Sequence, residues 1–206
     1  MIRLKGFNDF ILESSFNPEA KDPSISKKFN FHLVPGNKNN YRSSQIPPVH
    51  LKDIINRYRI DRVIRLNSDE EGDGLDPDGS LITVDEEEKV CKENGCDFHF
   101  VDLKKEYYGG KTPQKIMEKV NPILDKGNCL IHCKYGKDRT GGSVGYHLLN
   151  SVIIPNLDDV WEYTVKYNNW MDLIRKGEFF GTEYEIFASC FYPPEELKES
   201  KWVKKK

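Results

Sequence analysis

Residues 129–142 read Cys-Leu-Ile-His-Cys-Lys-Tyr-Gly-Lys-Asp-Arg-Thr-Gly-Gly, and this stretch decides the fold. Cys129 to His132 form an apolar run short enough for a buried strand. Cys133 opens a glycine-containing loop and Arg139 closes it, with five residues between them. A helix is then expected through His147 or Leu149. Strand, tight loop and helix start, in that order, make an anion site. The loop's successive backbone N–H groups point inward, and the helix adds unsatisfied amides and the positive end of its dipole. A loop of this length can curl around one tetrahedral oxyanion. Arg139 can then grip two of its oxygens while the Cys133 sulfur approaches the central atom. Positive surroundings of this kind favour a thiolate nucleophile. The Thr140 hydroxyl can donate to that thiolate and steady it when it leaves. Gly136 and Gly141 permit close backbone approach. Lys134, Tyr135 and Lys137 belong to the loop, and His132 supports it from the strand. The Gly-x4-Gly-Lys-Ser/Thr order of an ATP-binding loop is missing.

Outward from this segment, short apolar runs alternate with helical patterns. Strands are expected at Phe29–Val34, Arg62–Leu66 and Asp97–Leu103, besides the one ending at His132. Between the first two, a polar Asn-Lys-Asn-Asn turn leads through Tyr41–Gln45 to Pro47 and Pro48, which suit the entry to a helix over 49–59. Leu51, Ile54, Ile55 and Tyr58 follow helical spacing there. A charged helix is expected over 85–94, ending at Gly95. Another starts at Pro113, capped by Thr112, with Ile116, Val120, Ile123 and Leu124 as its buried face and Pro122 bending it. Residues 157–168, 171–176 and 182–190 read as tail helices, and Trp161–Trp170 as their packing. This alternation predicts an α/β fold: a central, mainly parallel sheet flanked by helices, with the ligand beyond the carboxyl ends of the strands, where Cys133 falls. We read 1–206 as one domain, with 1–28 as an N-terminal arm and 151–206 as a helical part and basic tail.

Composition sets the bounds. The chain has 206 residues, 37% hydrophobic and 31% charged, enough to bury a full core. Lys and Arg number 31 against 33 Asp and Glu, so a dedicated nucleic-acid partner is not expected. No apolar run approaches the roughly 18 residues that span a bilayer, and no secretory peptide is evident. Five cysteines, Cys91, Cys96, Cys129, Cys133 and Cys190, form no disulfide framework, which suggests free thiols in a reduced, cytoplasmic setting. No two of the five histidines sit at a zinc helix's i, i+4 spacing, and the acidic stretch 69–79 lacks the spacing of a calcium loop. No metal and no cofactor are expected, and a monomer is.

The stretch His132–Gly141 is a complete match to His-Cys-x-x-Gly-x-x-Arg-Ser/Thr-Gly. Average composition would produce that at a given position with odds below about one in a million. It resembles the phosphate loop of the Cys-x5-Arg protein tyrosine phosphatase superfamily, on the dual-specificity side. Tyr41–Gln45, a helix and Arg62–Asn67 resemble the opening of compact bacterial, plant and fungal atypical dual-specificity phosphatases. The resemblance covers residues 29–150 and implies phosphomonoester hydrolysis through a phosphocysteine. Arg42 would brace the loop, reach substrate or form a structural salt bridge, and Asn67 would support the loop.

In the family, the general acid is an aspartate about thirty residues before the cysteine. Asp102 lies 31 residues before Cys133, at the end of a strand, but follows Phe100-Val101 rather than the usual Trp-Pro. Asp138 is the rival, placed as in the Cys-x-x-Gly-x-Asp-Arg loops of myotubularin-like lipid phosphatases. Asp97 starts its strand on the wrong side, and Glu106 is weaker. Lys134 and Lys137 resemble the loop lysines of tensin-homologue phosphoinositide phosphatases. They leave two substrate classes open: phosphorylated protein and phosphorylated inositol. A non-catalytic phosphate-binding module and an arsenate reductase are the competing readings. Tyr107, Tyr108 and Lys111 flank the acid and could close a lid. Cys129 and Cys91 could trap oxidised Cys133 as a disulfide.

Overall fold

The computed structural model describes residues 23–36, 38–69, 79–103, 105, 113–154, 159, 160 and 163. Most of the N-terminal arm, most of the acidic stretch, Tyr107, Tyr108, Lys111, Cys190 and nearly all of the tail lie outside the described residues.

The elements run α1 (Pro23–Phe29), β1 (His32–Leu33), β2 (Tyr41–Ser44), α2 (Pro48–Tyr58), β3 (Arg62–Arg65), α3 (Val84–Glu93), β4 (Asp97–Phe100), α4 (Pro113–Leu124), β5 (Cys129–Cys133) and α5 (Asp138–Asn150). The five strands form one sheet in the order β1-β2-β5-β3-β4. All neighbours are parallel except β1 and β2. The fold is thus α/β with a mixed, mainly parallel sheet, as the alternation of elements predicts.

The two central strands send apolar residues to both faces, as suits a parallel sheet covered by helices on each side, and Arg65 and His132 are the buried polar exceptions. Val63 and Leu130 pack with Leu51, Ile54, Ile55 and Cys91 of α2 and α3. Ile64, Ile131, Cys129 and Cys133 turn the other way, onto Ile116, Val120 and Leu124 of α4 and Val144 and Leu148 of α5. α2 begins with Pro48 at its first position and closes on Arg59 in the left-handed region, φ 54°. α3 starts with a full capping box: Thr83 accepts from the Glu86 amide and Glu86 accepts from Thr83 N–H. Pro122 sits inside α4. Among the described residues no helix is long and apolar enough to cross a membrane.

Three strand expectations need correction. The strand expected over 29–34 is only His32–Leu33. Phe29 belongs to α1, whose end is closed by Phe31 N–H on the Ser26 carbonyl, with Asn30 at φ 48° turning the chain. Tyr41–Ser44, expected only to lead into a helix, is a strand of its own and β5's direct neighbour. Two of its buried polar side chains reach carbonyls distant in sequence: Ser44 Oγ donates to the Phe29 carbonyl and Arg42 Nη2 to that of Gly136. Tyr41 sits against the Phe31 and Tyr58 rings, at 5.1 and 5.2 Å between centroids. The strand expected to run to Leu103 stops pairing as a ladder at Phe100.

Candidate active site

Cys133 is the last residue of β5 and is 3% exposed. The chain then makes one tight turn, in which Gly136 N–H donates to the Cys133 carbonyl at 3.3 Å, and α5 begins at Asp138. Gly136 has φ +66°, and a Cβ there would land on the backbone of Ser43 and Ser44. This is why glycine is needed: the loop lies against β2 with no room for a side chain.

Three groups fasten the loop to the sheet. Arg42, fully buried on β2, donates Nη2–H to the Gly136 carbonyl at 2.7 Å. Asn30 Nδ2 donates to the carbonyls of Tyr135 and Gly136, each at 3.3 Å, while its Oδ1 meets His32 Nε2 at 2.9 Å. Gln45 N–H donates to the Lys134 carbonyl at 3.1 Å, and Asn67 holds the Gln45 side chain at 2.7 Å. The Arg42 guanidinium thus meets the loop backbone. Asn67 supports the loop through Gln45.

Arg139 stands half-buried in the first turn of α5, and Ser143 Oγ donates to its carbonyl. Thr140 follows, fully buried, and its Oγ1 has no hydrogen-bond partner among the described residues. Gly141 is buried, its N–H donating to the Lys137 carbonyl. The Asp138 backbone opens the helix, but its side chain lies outside the described residues. Lys134 places its ammonium 5.1 Å from the Tyr135 ring centroid. Tyr135 is 49% exposed, which puts it at the rim rather than the floor.

Asp102 comes two residues beyond β4, at the edge of the sheet where Cys133 emerges. Its segment is tied to β3 by Val101 N–H on Arg65 O and Leu103 N–H on Leu66 O. Two strand spacings, about 10 Å, separate β4 from β5. Asp102 Oδ1 accepts from Lys105 N–H at 2.9 Å, capping the turn that leads into the 106–112 segment. Asp97 sits at the opposite edge, as its place in the strand requires.

The backdoor thiols do not reach. Cys129 and Cys133 lie four residues apart in one extended strand, about 13 Å at the usual rise, whereas a disulfide needs Cα atoms within about 7 Å. Cys91 packs on the opposite face of the sheet from Cys133. A hydrogen bond to Cys96 and burial push the Cys91 thiol far up, and burial does the same to Cys129.

The sequence reading missed Asn30, Gln45, Arg65 and Glu87. Glu87 was hidden in a run of three glutamates that reads as a solvated face. Its helical phase gives it away, since Cys91, four residues on, is buried beside it. Asn30, between two phenylalanines, carries no such signal.

No curated protein matches the chain. Solved structures resemble it in fold at low identity. The Siw14 catalytic core of S. cerevisiae has TM-score 0.51 at 17% identity, covering 82% of this chain and 88% of that one. A DUF442 protein from Shewanella putrefaciens has TM-score 0.51 at 13%, covering 84% and 96%. A serine-for-cysteine form of P. aeruginosa TpbA, solved in complex with phosphotyrosine, has TM-score 0.50 at 14%, covering 88% and 99%. The model of the tyrosine phosphatase family matches residues 37–153, more than half of the chain and the whole span from β2 through α5. With that match resting on a strand, loop and helix built around Cys133, the chain belongs to the tyrosine phosphatase family and is a cysteine-dependent phosphatase.

Proposed function

We propose that this phosphatase is a tyrosine or dual-specificity protein phosphatase that works through a phosphocysteine on Cys133. The observation that carries the reading is the path of the backbone: β5 ends on Cys133, the loop closes within five residues, and α5 opens at Asp138. In the first step Cys133 Sγ attacks phosphorus as the ester P–O bond breaks, and the leaving oxygen takes a proton. Arg139 and the loop amides hold the equatorial oxygens as charge spreads over them. Water then attacks phosphorus, the S–P bond breaks, and the Thr140 hydroxyl steadies the departing thiolate. That hydroxyl has no other partner among the described residues, which supports the assignment. Asp102 gives and regains the proton, and Asp138 is the alternative. The position of Asp102 at the carboxyl edge of the sheet favours it. Gly136 and Gly141 let the loop close, Tyr135 borders the entrance, Arg42 braces the loop and His132 supports its strand. We place the enzyme in the cytoplasm as a monomer of one domain.

A second reading has a specific support: Lys134 and Lys137 flank the loop's centre, where they would meet further phosphates on an inositol ring. Phosphate release by wild type and Cys133→Ser separates the two. The panel is phosphotyrosine and phosphothreonine peptides, phosphoinositides and soluble inositol polyphosphates. Preference for phosphopeptides is expected. Preference for the inositol compounds would make the two lysines recognition residues. Equal turnover by Cys133→Ser would rule out the nucleophile.

A further inference from the structure

His132 and Arg65 stand side by side on β5 and β3, on the face of the sheet that α3 covers. Glu87 descends on both from α3 and is 1% exposed. Its Oε1 lies 2.5 Å from His132 Nε2, and its Oε2 accepts from Arg65 Nη1 at 3.1 Å. A carboxylate buried this deeply is costly unless both oxygens are engaged, and here they are.

The two partners depend on it unequally. Arg65 also donates to the carbonyls of Asn67 and Ser68 and to Asp69 Oδ1, at 2.9, 3.2 and 2.7 Å. Without Glu87 it would keep all three. His132 is 1% exposed, and its Nδ1 has no hydrogen-bond partner among the described residues. Removing Glu87 therefore strands a buried imidazole. Such a ring turns, or drags its backbone, until it finds partners. The next residue along that backbone is Cys133.

We infer that Glu87 is a positioning residue: acting through His132, it fixes the strand end that delivers Cys133 into the phosphate loop. The main chain carries the same restraint, since the His132 carbonyl accepts from Leu66 N–H at 3.0 Å. Side chain and backbone of one residue are thus both pinned directly before the sulfur. This rests on Cys133 being the nucleophile.

The test measures kcat and KM on p-nitrophenyl phosphate, per folded molecule. Glu87→Ala is expected to lower kcat at least about tenfold with KM within about threefold, the signature of lost transition-state positioning. Glu87→Gln keeps an oxygen for His132 Nε2–H but sets its NH2 against Arg65 Nη1, so its kcat should recover only in part, to between that of Glu87→Ala and wild type. In a His132→Phe background, Glu87→Ala should cost less than about threefold further, because the group it acts through is gone. Undiminished kcat in Glu87→Ala overturns the inference, and so does an equal loss in the His132→Phe background. Should Glu87→Ala not fold, Glu87→Asp carries the test. It keeps the charge but withdraws the oxygens by a methylene, and wild-type kcat there overturns the inference. Cys133→Ser separates the two failures. If it is inactive while Glu87→Ala is normal, only the role of Glu87 falls. If it turns over, the nucleophile assignment falls too.

Discussion

Gly136 bears two constraints at once. Its φ of +66° costs a residue with a Cβ about 1–2 kcal/mol, and that Cβ would also meet the backbone of Ser43 and Ser44. Those residues pair with His132 and Cys133 in the middle of the sheet, so they cannot give way cheaply. Gly136→Ala should therefore push the loop off β2 and break the Arg42 bond to the Gly136 carbonyl. We expect kcat/KM to fall at least about hundredfold, more than strain alone would cost, because the anion site itself is displaced. Turnover and thermal unfolding read together check this, and wild-type turnover would mean the loop has room the geometry denies. The thiols make a second expectation. Cys91 and Cys129 are buried, with thiols held in the protonated form, and neither can approach Cys133. After mild peroxide, peptide mapping should find no link from Cys133 to either one. Recovery of a Cys129–Cys133 peptide pair would require β5 to have unravelled.

α3 shows how a helix start governs what the helix delivers. Thr83 Oγ1 accepts from Glu86 N–H at 3.2 Å, and Glu86 Oε2 accepts from the Thr83 amide at 3.0 Å. Thr83→Ala should cost about 1 kcal/mol, and Thr83→Ser only a few tenths, read as shifts in the urea midpoint. A full loss in Thr83→Ser as well would mean the methyl group, not the hydroxyl, does the holding. The same element marks where the sequence could be read and where it could not. The apolar spacing of α2, the apolar run of β5 and the proline entry of α4 are local signals, and each produced an element within a residue or so of its place. The phosphate loop was legible because its chemistry is packed into one short segment. β2 was not, because Tyr-Arg-Ser-Ser has no apolar alternation. Ser44 and Arg42 donate to the carbonyls of Phe29 and Gly136, which no sequence window around residue 42 contains. Glu87 was missed for the same reason: its meaning lies in His132, 45 residues away.

Across the whole molecule, the far ends of α4 and α5 meet in a buried polar cluster that couples stability to pH. His147, 1% exposed on α5, meets Asn121 Oδ1 through Nδ1 at 2.9 Å. Asp125 stands 3.7 Å from the same nitrogen and is held by Lys38 at 2.8 Å, which ties the helix ends to the turn before β2. Burial pushes His147 down to about 4, Asp125 opposing and Lys38 reinforcing the shift. An unfolded histidine titrates near 6.5, so between those two values the unfolded chain binds a proton that the native protein refuses. Stability conferred by neutral His147 is therefore complete above about pH 6.5 and drains away as pH falls toward 4, on the order of 3 kcal/mol in all. Asp125 does not compete in that window. Burial raises it, but Lys38 and its other partners leave it lowered, so its contribution is lost only below the ordinary aspartate range. His99, lowered chiefly by burial, titrates with the same sign as His147, so the total slope is shared and a difference measurement is needed. His147→Gln keeps a neutral polar group at the site and removes the titration. Urea unfolding at pH 7 and pH 5 should show the wild type losing more stability than His147→Gln. Equal losses would mean that His147 takes up its proton without disturbing the helix ends.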